Sequence, residues 1–235
     1  MNVLAIGCHP DDLEINAGGT LAKCAKRGDN ITMVALADGS AGHKILTKEQ
    51  IVKVRLEEAT KSAAIIGAKY FCLGLEDCFV RRDYDKGVRL VSDIIRQVKP
   101  DFIITHGEHE YMEDHSVTSR IVFDATMAAT VSHYPSDYPP FEKYTPIFYM
   151  ENTHMVNSFP EIFVDISDTI DTKIEMYKCH KSQHEWLKVH DNFDMVEAIK
   201  TYGRTRGIQC DTEYVEGFTF CKQVHHLPTK RYLPE

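Results

Sequence analysis

The sequence predicts a Rossmann-like α/β fold, in which a mostly parallel sheet is flanked by helices and followed by a C-terminal elaboration. Three observations predict it. Short apolar runs alternate with longer amphipathic segments in the first half of the chain, as in βαβ units. The runs are apolar throughout, as in strands that are covered on both faces. Hydrophobic residues make up 43% of the 235 residues, which is enough for a sizeable core.

Four strands alternate with four helices in the first 130 residues. The predicted strands are 2–7, 31–37, 70–75 and 101–106. The predicted helices lie within 20–30, 48–66, 87–98 and 116–129. The first helix ends at Gly28 after basic residues that suit its carboxyl end, and Thr47 with Gln50 forms a capping box for the second. The third helix stops before Pro100.

The second half of the chain is predicted to be less regular. Residues 131–146 are rich in Pro, Tyr and Ser and are expected to form a long loop. The strands and helices predicted after it are strands 147–150, 162–167 and 214–222, with helices near 169–182 and 191–203. No repeat, linker or low-complexity tract interrupts the chain. Residues 1–235 are therefore expected to form a single domain.

Composition excludes several classes of partner and site. The net charge of −8 argues against binding to nucleic acid or to an acidic membrane surface. No run approaches the ~18 apolar residues of a membrane span, so membrane insertion is not expected. The seven cysteines form no C-x-x-C pair, which argues against a disulfide framework or a cysteine zinc site. The first residues do not resemble a signal peptide, so a cytoplasmic location is expected.

A polar turn follows the first strand, at a point where many α/β proteins have a phosphate-binding loop. It contains His9, Asp11 and Asp12, whose carboxylates would repel a phosphate, and it lacks the G-x-G-x-x-G spacing. We therefore expect the turn to hold a cation, with Gly18 and Gly19 allowing close packing where the helix begins. The alternative is an ordinary polar turn in which an aspartate caps the helix.

Histidines after the fourth strand are expected to lie near this turn. In a doubly wound sheet the fourth strand lies beside the first, and ligands bind at the carboxyl ends of the strands. The fourth strand leads into His106, His109 and His115. Imidazoles and a carboxylate suit zinc, and three protein ligands with an open fourth position suit a catalytic zinc. His106 and His109 are expected to line the pocket or face solvent, and the alternative for His115 is a surface or helix-capping role.

Several motifs resemble the PIG-L/LmbE-like zinc de-N-acetylases, which remove acetyl groups from N-acetylglucosamine conjugates and related N-acyl amines. The first is "HPDD" after the first strand, followed by "GGT" and by a strand that runs into "ADG". Weaker similarities are "RLEEATKSAAIIGA", "DH" after the fourth strand, "VDIS" and "YVEGF". The resemblance covers nearly the whole chain, and its first motif is the most specific.

The resemblance implies a division of roles between the two adjacent aspartates. It makes His9, Asp12 and His115 the ligands of one zinc, or of another divalent ion, and Asp11 the general base. A carboxylate that binds a metal loses its basicity, so a second, free carboxylate is needed to take a proton from water. Asp114 fits as a carboxylate that orients a histidine.

Two further residues are candidates for substrate binding. Arg55 is positioned to bind an anionic or hydroxyl-rich substrate, and the equally weighted alternative is a helix ion pair with Glu58 or Glu49. Asp38 lies at the carboxyl end of the second strand, where substrate contact is expected, and its alternative is a plain turn.

The sequence departs from the family pattern at one position. Many members read H-P-D-H, and their first histidine stabilises or protonates the intermediate. Met112 stands at that position, and methionine does neither. Either His106, His109 or His154 substitutes for it, or this chain relies on the metal and Asp11 alone.

The predicted function is metal-dependent hydrolysis of an acetyl or other N-acyl group on an N-acetylglucosamine-type or related amine. One alternative is a metal- or sugar-binding protein with little turnover. Another is a metallohydrolase that acts on a different ester or amide. The expected partner is a small amino-sugar-type molecule, and the chain is expected to form a homo-oligomer whose size the sequence leaves open.

Overall fold

Seven strands form one sheet in the order β3-β2-β1-β4-β5-β7-β6. The structure is a computed structural model that describes residues 1–235. The strands are β1 (Asn2–Gly7), β2 (Asn30–Ala37), β3 (Lys69–Leu75), β4 (Phe102–Thr105), β5 (Ile147–Met150), β6 (Ile162–Asp165) and β7 (Val215–Phe220). The first five strands run parallel, whereas β7 runs antiparallel to both β5 and β6. The predicted α/β fold with a mostly parallel sheet is confirmed.

Helices cover both faces of this sheet. They are α1 (Asp12–Lys26), α2 (Lys48–Ile65), α3 (Tyr84–Val98), α4 (Glu113–Ala128), α5 (Ile170–Lys178), α6 (Lys181–His190) and α7 (Met195–Gln209). Alternate residues of β1 enter two separate cores, with Val3 and Ala5 in one and Leu4 and Ile6 in the other. This is why β1 is apolar throughout. None of the helices combines the length and apolarity needed to cross a membrane.

Helix α1 begins eight residues earlier than the sequence predicts, at Asp12 instead of residue 20. Gly18 and Gly19 therefore lie inside the helix and not where it begins. Glycine is a poor helix former, which favours the later start when propensity alone is considered. Packing requires glycine here, because a Cβ on Gly19 would lie 2.8 Å from side-chain atoms of Ile166. The expected close packing is present, but it occurs in the middle of α1.

A buried ion pair fastens the C-terminal elaboration to the same part of α1. The Glu216 carboxylate in β7 accepts hydrogen bonds from the backbone N–H groups of Gly19 at 2.9 Å and Thr20 at 2.7 Å. Its Oε1 also lies 2.6 Å from Nζ of Lys173 in α5. Both charged side chains are at least nine-tenths buried, so each needs the other as a partner.

Three other helices differ from prediction at their ends. The helix expected over 169–182 is two helices, α5 and α6, which are separated at Cys179 and His180. Helix α7 starts at Met195 because the Asp194 side chain caps it, accepting hydrogen bonds from two backbone N–H groups. The capping box of Thr47 is confirmed. Helix α4 starts at Glu113, three residues earlier than predicted, and this places His115 in its first turn.

Candidate active site

Two segments meet at the carboxyl edge of the sheet. One is the turn between β1 and α1, residues 8–11, and the other is the loop between β4 and α4, residues 106–112. They meet because β1 and β4 are neighbouring parallel strands, with Ile6 paired with Thr105 near their carboxyl ends. Helix α4 then carries His115 back towards the first turn.

His9, Asp12 and His115 form a compact buried cluster. Nδ1 of His9 lies 3.2 Å from Nε2 of His115. The Asp12 carboxylate lies 3.5 Å from Nε2 of His115 and 3.6 Å from Nδ1 of His9. Two nitrogens bound to one tetrahedral zinc ion, with Zn–N bonds of about 2.0–2.1 Å, lie roughly 3.3 Å apart. The three residues therefore have the right donor atoms at the right spacing to hold one metal ion.

The surroundings of Asp12 keep its carboxylate charged. Burial by itself raises the pKa of this group, but His115 and His106 outweigh that effect and bring the pKa well below its usual value. The backbone N–H of His9 also donates to Oδ2 of Asp12 at 2.7 Å. An ionised, oriented carboxylate is what a metal-binding role requires.

Asp11 lies outside this cluster. Its Oδ1 accepts a hydrogen bond from Nη2 of Arg55 at 2.9 Å, and the carboxyl lines the adjacent cavity. Burial raises the pKa of Asp11 to about 6, against the opposing effect of the Arg55 guanidinium. Its φ of 152° is rarely adopted by L-residues and costs on the order of 1–3 kcal/mol. The two adjacent aspartates thus have different surroundings, and Asp11 is left free to exchange a proton near neutral pH.

Arg55 contacts the turn that carries Asp11. Besides Asp11, it donates to the carbonyl of Pro10 at 3.1 Å, and it is 3% exposed. The ion pair considered from the sequence, with Glu58 or Glu49, is absent. Arg55 lines the cavity, as expected for a substrate contact, but its nearest charged group is Asp11.

A carboxylate that the sequence did not single out lies behind His9. Oδ1 of Asp77 is 3.1 Å from Nε2 of His9, whereas the predicted orienting residue, Asp114, is 3.9 Å away. Asp77 also accepts a hydrogen bond from the backbone N–H of Ala41 at 3.1 Å. Burial raises its pKa, but contact with His9 outweighs this and lowers it to about 2. A signal was available, because Asp77 lies two residues beyond β3 at the same edge of the sheet.

His106 is not in the predicted place, because it neither lines the cavity nor faces solvent. It is fully buried behind Asp12, with Nε2 3.0 Å from Oδ2 of that residue and Nδ1 3.1 Å from Oε1 of Glu110. Burial lowers its pKa, but the two carboxylates outweigh this and raise it to about 9. His109 is exposed and lines a separate cavity of about 730 Å³.

A cavity of about 560 Å³ opens over the cluster and Asp11. One wall is apolar and consists of Ile15, Leu187, Phe193 and Met195. Another contains Met112, together with Tyr111 and His154, whose rings meet edge to face at 4.7 Å. Tyr111 in turn contacts the His115 ring edge to face at 5.3 Å. His154 is thus in the cavity, as expected of a substrate contact.

Asp38 does not line this cavity. Its Oδ1 accepts hydrogen bonds from the backbone N–H of Ser40 at 2.9 Å and from that of Asp77 at 3.3 Å. The structure therefore gives Asp38 the plain turn role that was the alternative to substrate contact. Its position beyond β2 was correctly predicted, but its side chain points towards the backbone of neighbouring loops.

Proteins with this arrangement include enzymes of two reaction types. The chain is 28% identical to diacetylchitobiose deacetylase of Thermococcus kodakarensis, covering 93% of this chain and 82% of that protein. It is also 28% identical to 4-oxalmesaconate hydratase of Pseudomonas putida, covering 79% and 75%. The crystal structure of the 4-carboxy-2-hydroxymuconate hydratase from Pseudomonas putida KT2440 superposes with a TM-score of 0.82 at 22% identity, covering 99% of this chain and 100% of that one.

The family match includes both segments that build the site. Residues 4–126 match PIG-L, the GlcNAc-PI de-N-acetylase family. These residues are just over half of the chain, and they contain the turn after β1, the loop after β4 and the first turn of α4. The chain therefore belongs to the PIG-L family.

Proposed function

We propose that this protein is a zinc-dependent hydrolase that removes an acetyl or other N-acyl group from an N-acetylglucosamine-type or related amine. One observation carries the proposal, namely the separation of two adjacent aspartates. Asp12 lies in a cluster with His9 and His115, whereas Asp11 pairs with Arg55 and faces the cavity. Family membership and the deacetylase relative support the class of substrate.

His9, Asp12 and His115 would hold the metal ion. Two imidazoles and one carboxylate form a ligand set that suits zinc and leaves a position open, although other divalent ions also bind such a set. When bound, zinc supplies a Lewis acid that polarises the acyl carbonyl and makes water easier to deprotonate. The Asp77 carboxylate, in contact with Nε2 of His9, keeps Nδ1 of that ring directed at the cluster.

Asp11 would move the proton in both halves of the reaction. It accepts a proton from water as the water oxygen forms a bond to the carbonyl carbon. The C–N bond then breaks, and Asp11 passes the same proton to the departing nitrogen, so the products are a carboxylic acid and a free amine. Arg55 holds the Asp11 carboxyl group in place at 2.9 Å throughout.

His154 is the histidine best placed to assist in place of Met112. His106 is buried behind Asp12, and His109 lines another cavity, so neither reaches the substrate. His154 lines the same cavity as Asp11, next to Tyr111. Its ring is separated from the His115 ring by Tyr111, which suits contact with the sugar or the departing amine better than contact with the carbonyl.

A second candidate reaction is the addition of water to a carbon–carbon double bond, because two similar proteins are named as hydratases. The charges in the cavity disfavour the carboxylated substrate that the name of one of them describes. Arg55 is the single Lys or Arg that lines the cavity, and it already pairs with Asp11. The other charged groups there are carboxylates, including Asp77 and Asp191. A neutral N-acetyl sugar would meet less repulsion than a carboxylated substrate.

The test is an assay of purified, zinc-loaded protein on three N-acetylated compounds: N-acetylglucosamine, diacetylchitobiose and an N-acetylglucosaminyl-inositol. Acetate and free amine are measured separately, with Asp11→Asn as the matched control. We expect equal amounts of both products from at least one compound, and a rate about 10²–10⁴-fold lower in the control.

Other outcomes would move the assignment. Retention of zinc without release of any acyl group would favour the binding protein with little turnover. Cleavage confined to esters would favour a different metallohydrolase. Hydration of a carboxylated, hydroxylated muconate would favour the second candidate.

A further inference from the structure

We propose that Glu110 is a positioning residue, which holds His115 with its Nε2 directed at the metal site and braces it against His106. No motif in the sequence singles out Glu110, and it does not line the catalytic cavity. The inference rests on the metal site of the proposed function, and it adds a residue outside the ligand set to that site.

Glu110 faces two histidines with its two oxygens. Oε1 lies 3.1 Å from Nδ1 of His106, and Oε2 lies 3.6 Å from Nδ1 of His115. The Glu110 side chain is 1% exposed, and the two histidine side chains are equally buried. Oε2 of Glu110 and Nδ1 of His115 are both buried without any closer hydrogen-bond partner. Because unpaired buried polar atoms are costly, this approach is the available way to satisfy both.

The contact determines which nitrogen of His115 is free to bind metal. A neutral imidazole has one N–H and one lone pair. A carboxylate beside Nδ1 takes the N–H and leaves the lone pair on Nε2, the atom that lies 3.2 Å from Nδ1 of His9. The opposite tautomer would direct an N–H at the metal site and a lone pair at the carboxylate. Glu110 therefore selects the tautomer that can bind the ion.

A second metal ion is the competing explanation for this group. His106, Glu110 and His115 offer donor atoms that all lie within 4.8 Å of one another. However, the two imidazole rings are stacked, with centroids 4.1 Å apart and planes at 25°. Lone pairs of stacked rings lie in nearly parallel planes and run side by side instead of converging on one point. A two-oxygen carboxylate can reach both rings, whereas a single ion is poorly placed to do so.

The loop geometry keeps Glu110 in this position. Its backbone N–H donates to Oγ of Ser116 in α4 at 3.3 Å. This bond joins the loop after β4 to the helix that carries His115, so Glu110 and His115 move as one unit. The residue is thus fixed at its backbone and at both carboxylate oxygens.

The test measures the dissociation constant of Zn²⁺ by competition with a chelator in Glu110→Gln, Glu110→Asp and wild-type protein. Glu108→Gln is the matched control, because Glu108 is an exposed carboxylate in the same loop. We expect Glu110→Gln to bind zinc about 10–100-fold more weakly. Glu110→Asp keeps the charge but is one methylene shorter, so it should fall between the wild type and the glutamine variant. Glu108→Gln should match the wild type.

A spectroscopic readout accompanies the affinity. Co²⁺ loaded in place of zinc has visible absorption bands that report the geometry of its ligands. These bands should shift in Glu110→Gln and stay unchanged in Glu108→Gln. A residue that merely stabilised the fold would lower thermal stability without altering the Co²⁺ spectrum.

Each outcome decides between distinct explanations. If wild-type protein bound no zinc, the proposed function would fail before this inference was reached. Wild-type affinity and spectrum in Glu110→Gln would overturn the inference alone. A stoichiometry of two ions that fell to one in Glu110→Gln would replace it with a second metal site. If the glutamine variant did not fold, wild-type affinity in Glu110→Asp would overturn the inference instead.

Discussion

The turn after β1 and the loop after β4 bring residues to the same cluster, but they contribute different things. The turn spans residues 8–11 and supplies His9 and Asp11 directly, with Asp12 opening the helix that follows. The loop spans residues 106–112 and supplies no member of the cluster. It places His106 and Glu110 behind the cluster, and His115 comes from the helix beyond it.

The difference separates reactive groups from their supports. The turn holds its groups under backbone strain at Asp11, and Arg55 from α2 stabilises the strained residue. The loop is free of positive φ angles, and its polar residues are paired with one another. Substitutions in the turn should therefore remove chemistry outright, whereas those in the loop should weaken it by degrees.

The largest effect is expected where the two segments meet, at His115. His115→Ala removes one of three donors, so the protein should lose its zinc on dialysis and with it all measurable activity. Metal analysis of the dialysed protein measures this, with the exposed His109→Ala as control. Full zinc retention in His115→Ala would shift the third donor to His106, which stacks on it, and would erase the contrast between the segments.

A smaller effect is expected at Asp77, which supports His9 from outside both segments. Asp77→Asn removes a charged acceptor 3.1 Å from Nε2 of His9, so zinc affinity should fall about 10–100-fold. Chelator competition gives the dissociation constant, and Glu76→Gln is a control at the neighbouring, more exposed carboxylate. An unchanged dissociation constant would show that the turn needs no support beyond its own residues.

The smallest effect is expected on stability and not on chemistry. In Gly19→Ala the new methyl group would lie 2.8 Å from Ile166, which should cost about 1–3 kcal/mol of unfolding free energy. Gly107→Ala, in the loop after β4, would meet no atom within 4 Å and should change little. Denaturant unfolding of both variants measures the difference. Equal stabilities would mean that α1 is no more tightly packed than the loop.

Features set by local sequence could be predicted, and so could one long-range arrangement. The apolar runs predicted the parallel strands, and the capping box predicted the start of α2. The grouping of His9, Asp12 and His115 could also be predicted, because residues beyond neighbouring parallel strands must meet at one edge.

Pairings between distant side chains could not be predicted in this way. Arg55 has acidic residues one helical turn away, yet it pairs with Asp11, 44 residues distant in sequence. Glu110 lies among other polar residues, and only the stacking of His106 on His115 shows what it contacts. Gly19 disfavours a helix by its propensity, and the requirement for it comes from Ile166, far along the chain.

The most direct test of the account compares Asp11→Asn and Asp12→Asn in one buffer, with zinc content and deacetylation rate measured on the same samples. The substitutions are chemically identical and adjacent, so their surroundings alone should separate them. Asp11→Asn should keep its zinc and lose about 10²–10⁴-fold in kcat, because it loses the proton acceptor and not a metal ligand. Asp12→Asn should lose zinc, because an amide is a poorer ligand than a carboxylate. Loss of zinc from Asp11→Asn with retention by Asp12→Asn would reverse the two roles, and full activity in Asp11→Asn would contradict the proposed mechanism.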